Sequence, residues 1–578
     1  MCGFAFLTST RPLSNDLKNL FKDASQRFIS TRGPTSQNLD SDEYSISYQS
    51  ILSIQSRPST SHSDTSFLYN GEIFTWPSSL SSYISPTDSD TTNLIRLRKH
   101  GLLQQALVEA DSMHAVCSIS RDPTSRISAI NIYRDFPGEK HVWYYHDSTY
   151  FIVSSVPGFI ATVLSSLTTL FPDPQVIADY FLRRHLISPL HHPITGIRQV
   201  LPGQHLHLNC RTWLLQSELI STFHNLFDAD IYHTSLSRPA AITGLVGSTL
   251  SNVISAMEST CRDHVTSACV FSGGIDSSLV SSYLLSSSRH PSTNLFTLTF
   301  GSKDPVSLLA SSFLSNIPNE RIVHEVLTCT PDLYISALTE SIQVLASPIN
   351  THSIPSALLV SNATARSSNQ VLYGGEGADE LFLGYRTYID HNQSIYTNVV
   401  HNYPSSHLTS LSINSGIPAY IESLRISIST HLESCHVLPQ HINVITQSML
   451  DFFIQLPSVG LLSSDTIQSH SGIEARTPFL RDAMIRLGIS LNPDSRTAFS
   501  SIPKAPLAQL FLEKFRLTNV PPKMGFSGYP NEAKSLLPKS DWRVFDLLKL
   551  SHSAFLDADR ALAWKVINTE LFLQTLFP

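Results

Sequence analysis

The chain has 578 residues, of which 42% are hydrophobic and 15% charged, and its formal net charge is −7. This length exceeds what one ordinary hydrophobic core serves, so two or more domains are expected. The mildly acidic balance gives no electrostatic case for a nucleic-acid partner. Seven scattered cysteines show no paired zinc spacing and fit a reducing compartment. Because the N-terminus also lacks the basic region of a signal peptide, we expect a globular cytoplasmic protein.

One segment, residues 148–172, contains no charged residue and is long enough to span a bilayer. However, Pro157-Gly158 interrupts it and many of its side chains are serine or threonine. The pattern predicts a strand over residues 151–156, a turn and a buried helix. We therefore expect no membrane segment.

The N-terminal residues suggest a nucleophile. Removal of the initiator methionine would place a free α-amine, with a pKa of roughly 7.7–8.0, beside the Cys2 thiol as a general base. A second-position cysteine alone is more often incidental. Residues 67–74, FLYNGEIF, predict two short strands around an Asn-Gly turn, where Asn70 and the Gly71 N–H could form an oxyanion hole. Asp90 opens a predicted helix and could bind an ammonium group or cap the helix.

The sequence VFSGGIDSSLV at residues 270–280 predicts a buried strand, a tight loop and a helix that begins at Ser278. Adjacent glycines let successive N–H groups point at one place, and a helix N-terminus adds positive charge there. The loop lacks the Gly-Lys-Ser/Thr ending of a Walker loop. The alternative is a plain turn. The candidate ATP-binding residues are Ser272, Gly273, Gly274, Asp276 and Ser277.

Further strands are predicted at residues 294–300, 321–327 and 370–373, with helices between them. This alternation indicates a parallel sheet that binds ligands at the carboxyl ends of its strands. The last strand runs into GGEGADELF at residues 374–382, which holds three glycines and three carboxylates. These acids could merely stabilise a helix N-terminus. Two such loops at one sheet edge instead favour a common site.

Several motifs together resemble a known family. Cys2-Gly3, RGP at 32–34, NGEIF at 70–74, SDTTNLI at 89–95 and RDFPG at 134–138 resemble the glutaminase domain of class II amidotransferases. The SGGxDS loop resembles that of the N-type ATP pyrophosphatases, which cleave ATP between the α- and β-phosphates. SGGIDSS, GEGADELFLGY, SGIEARTPFL and PKMGF extend the resemblance to the asparagine synthetases, closest to their divergent asparagine synthetase domain-containing branch.

The resemblance implies two domains. An N-terminal-nucleophile, four-layer α-β-β-α sandwich would occupy residues 2–210, and residues 211–240 would be a linker. A parallel-sheet ATP pyrophosphatase domain, similar to the adenine nucleotide α-hydrolases, would occupy residues 241–578. Glutamine, aspartate and ATP would be the substrates, with Mg²⁺ as cofactor, and the chain could form a homodimer.

The resemblance also implies roles for particular residues. Glu376 would contact aspartate or guide ammonia, and Lys504 would neutralise charge on the departing pyrophosphate. A divalent metal is needed because that leaving group is highly charged. The implied assignments are catalytic Cys2, Asn70, Gly71, Glu376 and Lys504; substrate-binding Glu72 and Asp90; ATP-binding Gly375 with the five loop residues named above; and metal-binding Asp276 and Asp379.

The chain departs from the family pattern at some positions. The strand SYQSIL at residues 47–52 lacks the arginine that clamps the glutamine carboxylate, and the nearest cation is Arg57, beyond it. Thr75 stands where the family has a second asparagine. The arginine expected after Lys504 is missing, and Arg481 replaces an aspartate.

These departures leave three hypotheses open. The first is a glutamine-dependent asparagine synthetase. The second is a catalytically reduced relative that keeps ATP binding and has a regulatory role. The third is an ATP pyrophosphatase that acts on another acid, such as a β-lactam synthetase, which the retained Cys2 disfavours.

Overall fold

The structure is a computed structural model. It describes residues 2–52, 54, 65–183, 185, 188–237, 241–287, 292–300, 304–315, 320–390, 406–498, 502–523, 541–551 and 560–577. These residues form two antiparallel sheets in the N-terminal half and one parallel sheet in the C-terminal half. None of the described helices is both long and apolar enough to cross a bilayer.

The first antiparallel sheet has the strand order β2-β3-β1-β8-β7-β9 and the second has the order β11-β10-β6-β5-β4. Their strands are β1 Cys2–Ser9, β2 Thr35–Ser41, β3 Ser45–Ile51, β4 Phe67–Thr75, β5 Asp111–Arg121, β6 Ile127–Arg134, β7 Trp143–His146, β8 Tyr150–Ser154, β9 Ile197–Gln199, β10 Gln204–Asn209 and β11 Leu214–Leu219.

The two sheets pack face to face around a core that includes Phe4 and Phe6 of β1, Leu68 of β4 and Phe151 of β8. Helices cover both outer faces, because each sheet alternates apolar residues on its two sides. The helices are α1 Asn15–Phe28, α2 Asp90–Lys99, α3 Leu103–Glu109, α4 Pro157–Leu167 and α5 Pro174–Leu182. This arrangement confirms the predicted four-layer sandwich, and β8 followed by α4 confirms the prediction for residues 148–172.

One predicted element is wrong. The expected two short strands around an Asn-Gly turn are the single strand β4, in which Asn70 pairs with Ala115 and Gly71 with His114. Glycine is needed at 71 for close packing rather than for a turn, because an added Cβ would lie 2.8 Å from the Cα of His114.

Residues 211–237 carry regular structure. Strand β11 extends the second sheet by pairing with β10. A 3₁₀ turn at Phe223–Asn225 and helix α6, Ala229–Ser237, follow. Phe223 and Tyr232 are buried in the core of the C-terminal half, so these apolar residues draw the segment onto that half.

The parallel sheet has the strand order β14-β13-β12-β15-β16. Its strands are β12 Ser267–Val270, β13 Thr293–Thr299, β14 Ile322–Thr328, β15 Val371–Tyr373 and β16 Glu474–Arg476. Four of the five were predicted to within a few residues. The helices that alternate with them are α7 Ile242–Ser259, α8 Ile275–Ser287, α9 Pro305–Ser315, α10 Pro331–Leu345, α11 Ile354–Arg366 and α12 Ala378–Phe382.

The rest of the C-terminal half is helical. Its helices are α13 Arg386–Asp390, α14 Ser406–Asn414, α15 Ile417–Ser434, α16 Pro439–Leu450, α17 Leu456–Ser458, α18 Gly460–Leu462, α19 Asp482–Ser490, α20 Pro493–Thr497, α21 Ala505–Phe515, α22 Arg543–Leu548 and α23 Arg560–Leu576. Two π-helical turns, Asp451–Gln455 and Ser463–Ile467, flank α17 and α18. A 3₁₀ turn follows at Gln468–Ser471.

The sandwich core generates the first testable prediction. Phe151 is 0% exposed between the two antiparallel sheets. Phe151→Ala should lower the free energy of unfolding by about 3–5 kcal/mol, because it removes a buried ring and leaves a cavity. Urea unfolding followed by tryptophan fluorescence measures this. The control, Leu214→Ala, truncates a side chain that is 55% exposed on β11, and a loss as large as that of Phe151→Ala would contradict the assigned core.

Candidate functional site

Two loops meet at the carboxyl edge of the parallel sheet. One joins β12 to α8, and the other joins β15 to α12; the two strands pair directly. An added Cβ at Gly375 would lie 2.9 Å from the Cβ of Asp276, so the second loop rests against the first. Gly273 has a φ of +73°, a left-handed conformation that favours glycine. Glycine is therefore required at position 375 by the close approach of the two loops, and at position 273 by the left-handed turn.

Hydroxyl groups hold the first loop together. The Oγ atoms of Ser272 and Ser277 are 3.1 Å apart, and the Ser272 N–H donates to Ser277 Oγ at 3.3 Å. The Gly274 N–H donates to Ser272 Oγ at 3.3 Å. The helix α8 starts at Ile275, three residues before the predicted start, so its positive N-terminal end faces the loop directly. The loop has the form of an anion cradle.

A lysine links the acids of the two loops. Lys504 Nζ lies 2.5 Å from Asp276 Oδ2 and 2.8 Å from Asp379 Oδ1. Lys523 forms a second ion pair with Asp379 and lies 4.0 Å from the centre of the Tyr385 ring. Lys504 itself has a φ of +53°, a left-handed conformation that residues with a side chain adopt rarely.

The charges of this cluster perturb one another. Burial lowers the pKa of Lys504, but the carboxylates of Asp276 and Asp379 outweigh it and leave that pKa well above its usual value. Burial raises the pKa of Asp379, but the two lysines outweigh it, so the pKa of Asp379 is lowered. For Asp276, burial exceeds the effect of Lys504 and its pKa is raised. Perturbed, mutually paired charges of this kind in a cleft mark a candidate functional site.

Two further carboxylates face the same space. Burial raises the pKa of Glu376, and its Oε2 atom is buried without a hydrogen-bond partner among the described residues. Burial and the neighbouring Asp379 raise the pKa of Glu380 to about 8, and the Tyr385 hydroxyl donates to its Oε1 at 3.2 Å. An unpartnered buried oxygen is costly unless a ligand satisfies it.

The cluster lines a cavity of about 750 Å³. The predicted residues that line it are Ser272, Gly274, Asp276, Ser277, Gly375, Glu376, Asp379 and Lys504. Gly273 instead packs against α9, with its missing Cβ 2.9 Å from Ala310 Cα. The volume falls within the range of small-molecule sites.

Sequence reasoning missed part of this cavity. Lys523, Tyr385 and the helical segment 455–460 also line it. Lys523 stood in the motif PKMGF without an assigned role, so the motif was the available signal; its residues 524–526 lie outside the described part of the chain. The segment 455–460 has no polar motif that would mark it.

The acids fit a divalent cation in part. The described residues contain no group of three His, Cys, Asp or Glu side chains placed to hold a metal. Asp276 Oδ1 is nevertheless buried with no hydrogen-bond partner in the described structure, and it lies beside Asp379 across Lys504. Mg²⁺ commonly binds one or two carboxylates and takes its other ligands from phosphates and water, so the pair fits such an ion together with a nucleotide.

The second predicted site lies around Cys2. The Cys2 backbone nitrogen is 3.3 Å from Asn70 Oδ1, and the Nδ2 atom of Asn70 is buried without a partner among the described residues. Gly71 is adjacent on β4. The structure thus brings the predicted nucleophile and oxyanion donors together, although β4 rather than a turn positions them. Burial raises the pKa of the Cys2 thiol, while a hydrogen bond from the Leu52 backbone opposes it.

The two predicted substrate-binding acids are both buried. Asp90 accepts a hydrogen bond from the Ile73 N–H at 2.7 Å, which ties α2 to β4. The N-cap of α2 is Ser89, whose side chain accepts a hydrogen bond from the Thr92 N–H. The alternative prediction, that Asp90 caps this helix, is therefore wrong. Glu72 lies on β4 with 2% exposure.

The strand that lacks the clamp arginine is β3. Its Gln49 donates through Nε2 to the Tyr69 carbonyl at 2.8 Å. Arg57 lies outside the described residues. Glu474 and Arg476 of the SGIEARTPFL motif form a buried ion pair, with Arg476 Nε and Glu474 Oε1 2.8 Å apart.

An antiparallel sandwich that begins at Cys2, joined to a parallel sheet with a phosphate-type loop, is the architecture of a two-domain class II amidotransferase with an ATP pyrophosphatase domain. The sequence model of the asparagine synthase family matches residues 250–540, half of the 578-residue chain. The chain belongs to the asparagine synthase family.

A curated relative is asparagine synthetase [glutamine-hydrolyzing] 1 of Bacillus subtilis strain 168. It is 24% identical over 408 residues, which cover 67% of this chain, and the match spans 59% of the length of that relative. Among solved structures, glutamine phosphoribosylpyrophosphate amidotransferase of B. subtilis, complexed with ADP and GMP, has a TM-score of 0.26 and 12% identity over 56% of this chain and 81% of that chain. An allosteric regulatory enzyme of purine biosynthesis has a TM-score of 0.26 and 11% identity, over 60% of this chain and 88% of that chain.

The ion network generates the second prediction. A Cβ at Gly384 would occupy the space of the Asp379 carboxylate and the Lys504 stem. Gly384→Ala should therefore weaken binding of an ATP analogue with Mg²⁺ by about tenfold or more, measured by calorimetry. The matched control is Gly244→Ala, where an added Cβ meets nothing within 4 Å. Equal affinity of the two variants would contradict the assigned site.

Proposed function

We propose that the protein is an ATP-dependent amidotransferase of the asparagine synthetase type. It converts aspartate, ATP and glutamine or ammonia into asparagine, AMP and pyrophosphate, with glutamate as the product of glutamine. Family membership supports this reaction class. The observation that carries it is the cavity in which Lys504 joins Asp276 of the glycine-serine loop to Asp379 of the acidic loop.

The first step is activation of the acid. ATP lies with its phosphates on the cradle formed by residues 272–277, where serine hydroxyls and the α8 N-terminus face the anion. A carboxylate oxygen of aspartate attacks the α-phosphorus, the bond to the bridging oxygen breaks, and pyrophosphate leaves with the electron pair. Lys504 and Lys523 move from the carboxylates to the leaving group. Asp276 and Asp379 would hold Mg²⁺, which would supply further positive charge against the leaving pyrophosphate.

The second step is capture of ammonia. The nitrogen attacks the acyl carbon of β-aspartyl-AMP, AMP leaves with its oxygen, and the nitrogen loses a proton. Glu376 lies on the loop beside the cradle, and its unpartnered Oε2 suits contact with the ammonia or the amino acid. Burial raises the pKa of Glu376, which brings it closer to the range where a carboxylate accepts a proton at neutral pH.

Glutamine is hydrolysed at Cys2 in this proposal. With the initiator methionine removed, the α-amine beside Asn70 Oδ1 takes the thiol proton, and Asn70 Nδ2 with the Gly71 N–H stabilises the oxyanion. Glu72 and Asp90 are proposed to serve glutamine binding. We further propose that residues 2–210 and residues 241–578 form two domains joined by a linker at residues 211–240. We also propose a cytoplasmic location, and the chain could form a homodimer.

A second candidate is a relative with reduced glutaminase activity that uses ammonia or only binds ATP. Two hydrogen bonds favour this candidate. Gln49 of β3 donates to the Tyr69 carbonyl, and the Asp90 carboxylate accepts from the Ile73 N–H of β4. Losing a charge-assisted bidentate contact costs on the order of 2–4 kcal/mol, or tens- to hundreds-fold in glutamine binding. The assay of purified protein with ATP, Mg²⁺, aspartate and either glutamine or ammonia separates the candidates.

The third prediction concerns the nucleotide. Asp276→Asn should abolish AMP release, because it removes the loop carboxylate that pairs with Lys504 and would hold the metal, and circular dichroism should show an unchanged fold. Chromatography of the nucleotides measures this. The control Asp332→Asn changes an exposed acid at the start of α10 and should be as active as wild type. Formation of ADP instead of AMP by wild type would refute the pyrophosphatase assignment.

The fourth prediction separates the two sites. Cys2→Ala should eliminate glutamine-dependent asparagine formation and spare ammonia-dependent formation, whereas Glu376→Ala should eliminate both. The reason is that the thiol only liberates ammonia, while Glu376 lies where ammonia attacks. Ammonia at raised pH should be the better donor for wild type, since ammonium is unreactive and the clamp arginine is missing.

Cys435, a half-buried residue at the end of α15, supplies the matched control Cys435→Ala. It should keep both activities. A micromolar KM for glutamine in wild type would show that another residue replaces the clamp. Ammonia-dependent synthesis that survives Glu376→Ala would show that the acidic loop is structural.

A further inference from the structure

A buried carboxylate of the C-terminal half is held by cations of the N-terminal half. Asp465 lies in the π-helical turn Ser463–Ile467 with 1% exposure. Its Oδ1 atom is 2.9 Å from an Arg32 guanidinium nitrogen and 3.5 Å from Lys140 Nζ. Its Oδ2 atom accepts a hydrogen bond from the His141 N–H at 2.9 Å. A buried acid with three cross-half partners is a specific connection rather than a surface contact.

Arg32 extends this connection to the nucleophile. Its Nε donates to the Cys2 carbonyl oxygen at 3.3 Å, and the side chain is fully buried. Glycine at position 3 makes room for it, because an added Cβ would lie 2.6 Å from Arg32 Cδ. One guanidinium therefore contacts the backbone of Cys2 on one side and Asp465 on the other.

Asp465 belongs to the segment that forms a wall of the ATP cavity. Leu456, Val459 and Gly460 line that cavity, and α18, Gly460–Leu462, runs directly from them into the turn that carries Asp465. The segment has a π-helical turn at each end. Such turns occur frequently at functional sites. A ligand that contacts the wall thus lies within a few residues of Asp465.

The charge of Asp465 persists across the physiological range. Burial raises its pKa, but Arg32 and Lys140 outweigh burial and hold the pKa of Asp465 far below its usual value. Neutralising the acid would remove the buried ion pair with Arg32, and with it one of the contacts that position this guanidinium.

We propose that Asp465 is a positioning residue for the Cys2 nucleophile: through Arg32 it fixes the Cys2 carbonyl, and it makes the thiol respond to nucleotide in the ATP cavity. This inference rests on the proposed function for the identity of the two sites. Its distinctive consequence is that a change in the C-terminal half alters the reactivity of Cys2 without touching it.

The test measures alkylation of Cys2 by iodoacetamide, read by mass spectrometry of the N-terminal peptide, with and without α,β-methylene-ATP and Mg²⁺. It needs no turnover, so its result is independent of whether wild type makes asparagine. Wild type should change its alkylation rate at least threefold on adding the nucleotide. Asp465→Asn should change the basal rate about tenfold and abolish the nucleotide response.

Two further variants separate positioning from general packing. Asp111→Asn removes another cross-half ion pair, to Arg481 at 3.2 Å, and should behave as wild type. Arg32→Lys keeps a charge beside Asp465 but loses the Nε bond to Cys2, and should abolish the nucleotide response even if Asp465→Asn does not fold. The proposal is overturned if nucleotide leaves the alkylation rate of wild type unchanged. It is also overturned if Arg32→Lys or Asp465→Asn responds to nucleotide as wild type does, or if Asp111→Asn loses the response as well.

Discussion

The site depends on the placement of one ammonium group between two carboxylates. Lys504 Nζ lies within 2.8 Å of both Asp276 and Asp379, which come from different loops of the parallel sheet. Without the lysine, these two half-buried acids would repel each other. The absence of a Cβ at Gly384 is explained by this arrangement. The ion network ties the two loops together and keeps two ammonium groups at the cavity.

Buried charge also joins the two halves. Arg481, which stands where the family resemblance led us to expect an aspartate, forms ion pairs with Glu139 and Asp111 of the sandwich and lies 4.5 Å from the ring centre of Phe74. Asp465 makes the reciprocal contact with Arg32. Because these groups are desolvated, each needs its partner, and the interface has one favoured arrangement. The departure at Arg481 thus has a structural reason.

The sequence was informative where backbone chemistry restricts residue choice. Adjacent glycines and serines after a buried strand indicated the cradle, and alternation of strands and helices indicated the parallel sheet. The Asn70-Gly71 pair misled, because the same dipeptide that favours a hairpin turn also suits a strand where a neighbouring backbone approaches closely. Lys523 and Asp465 escaped notice because their partners are over a hundred residues away, as the 144-residue separation of Lys523 from Asp379 illustrates.

We propose that the cavity activates a carboxylic acid by adenylation. The most direct measurement uses aspartate labelled with ¹⁸O in its side-chain carboxylate, with ATP, Mg²⁺ and ammonia, and mass analysis of the products. Because the carboxylate oxygen stays on the α-phosphorus when nitrogen replaces it, our account predicts one ¹⁸O atom in each AMP. Label in inorganic phosphate, or unlabelled AMP formed together with asparagine, would contradict it.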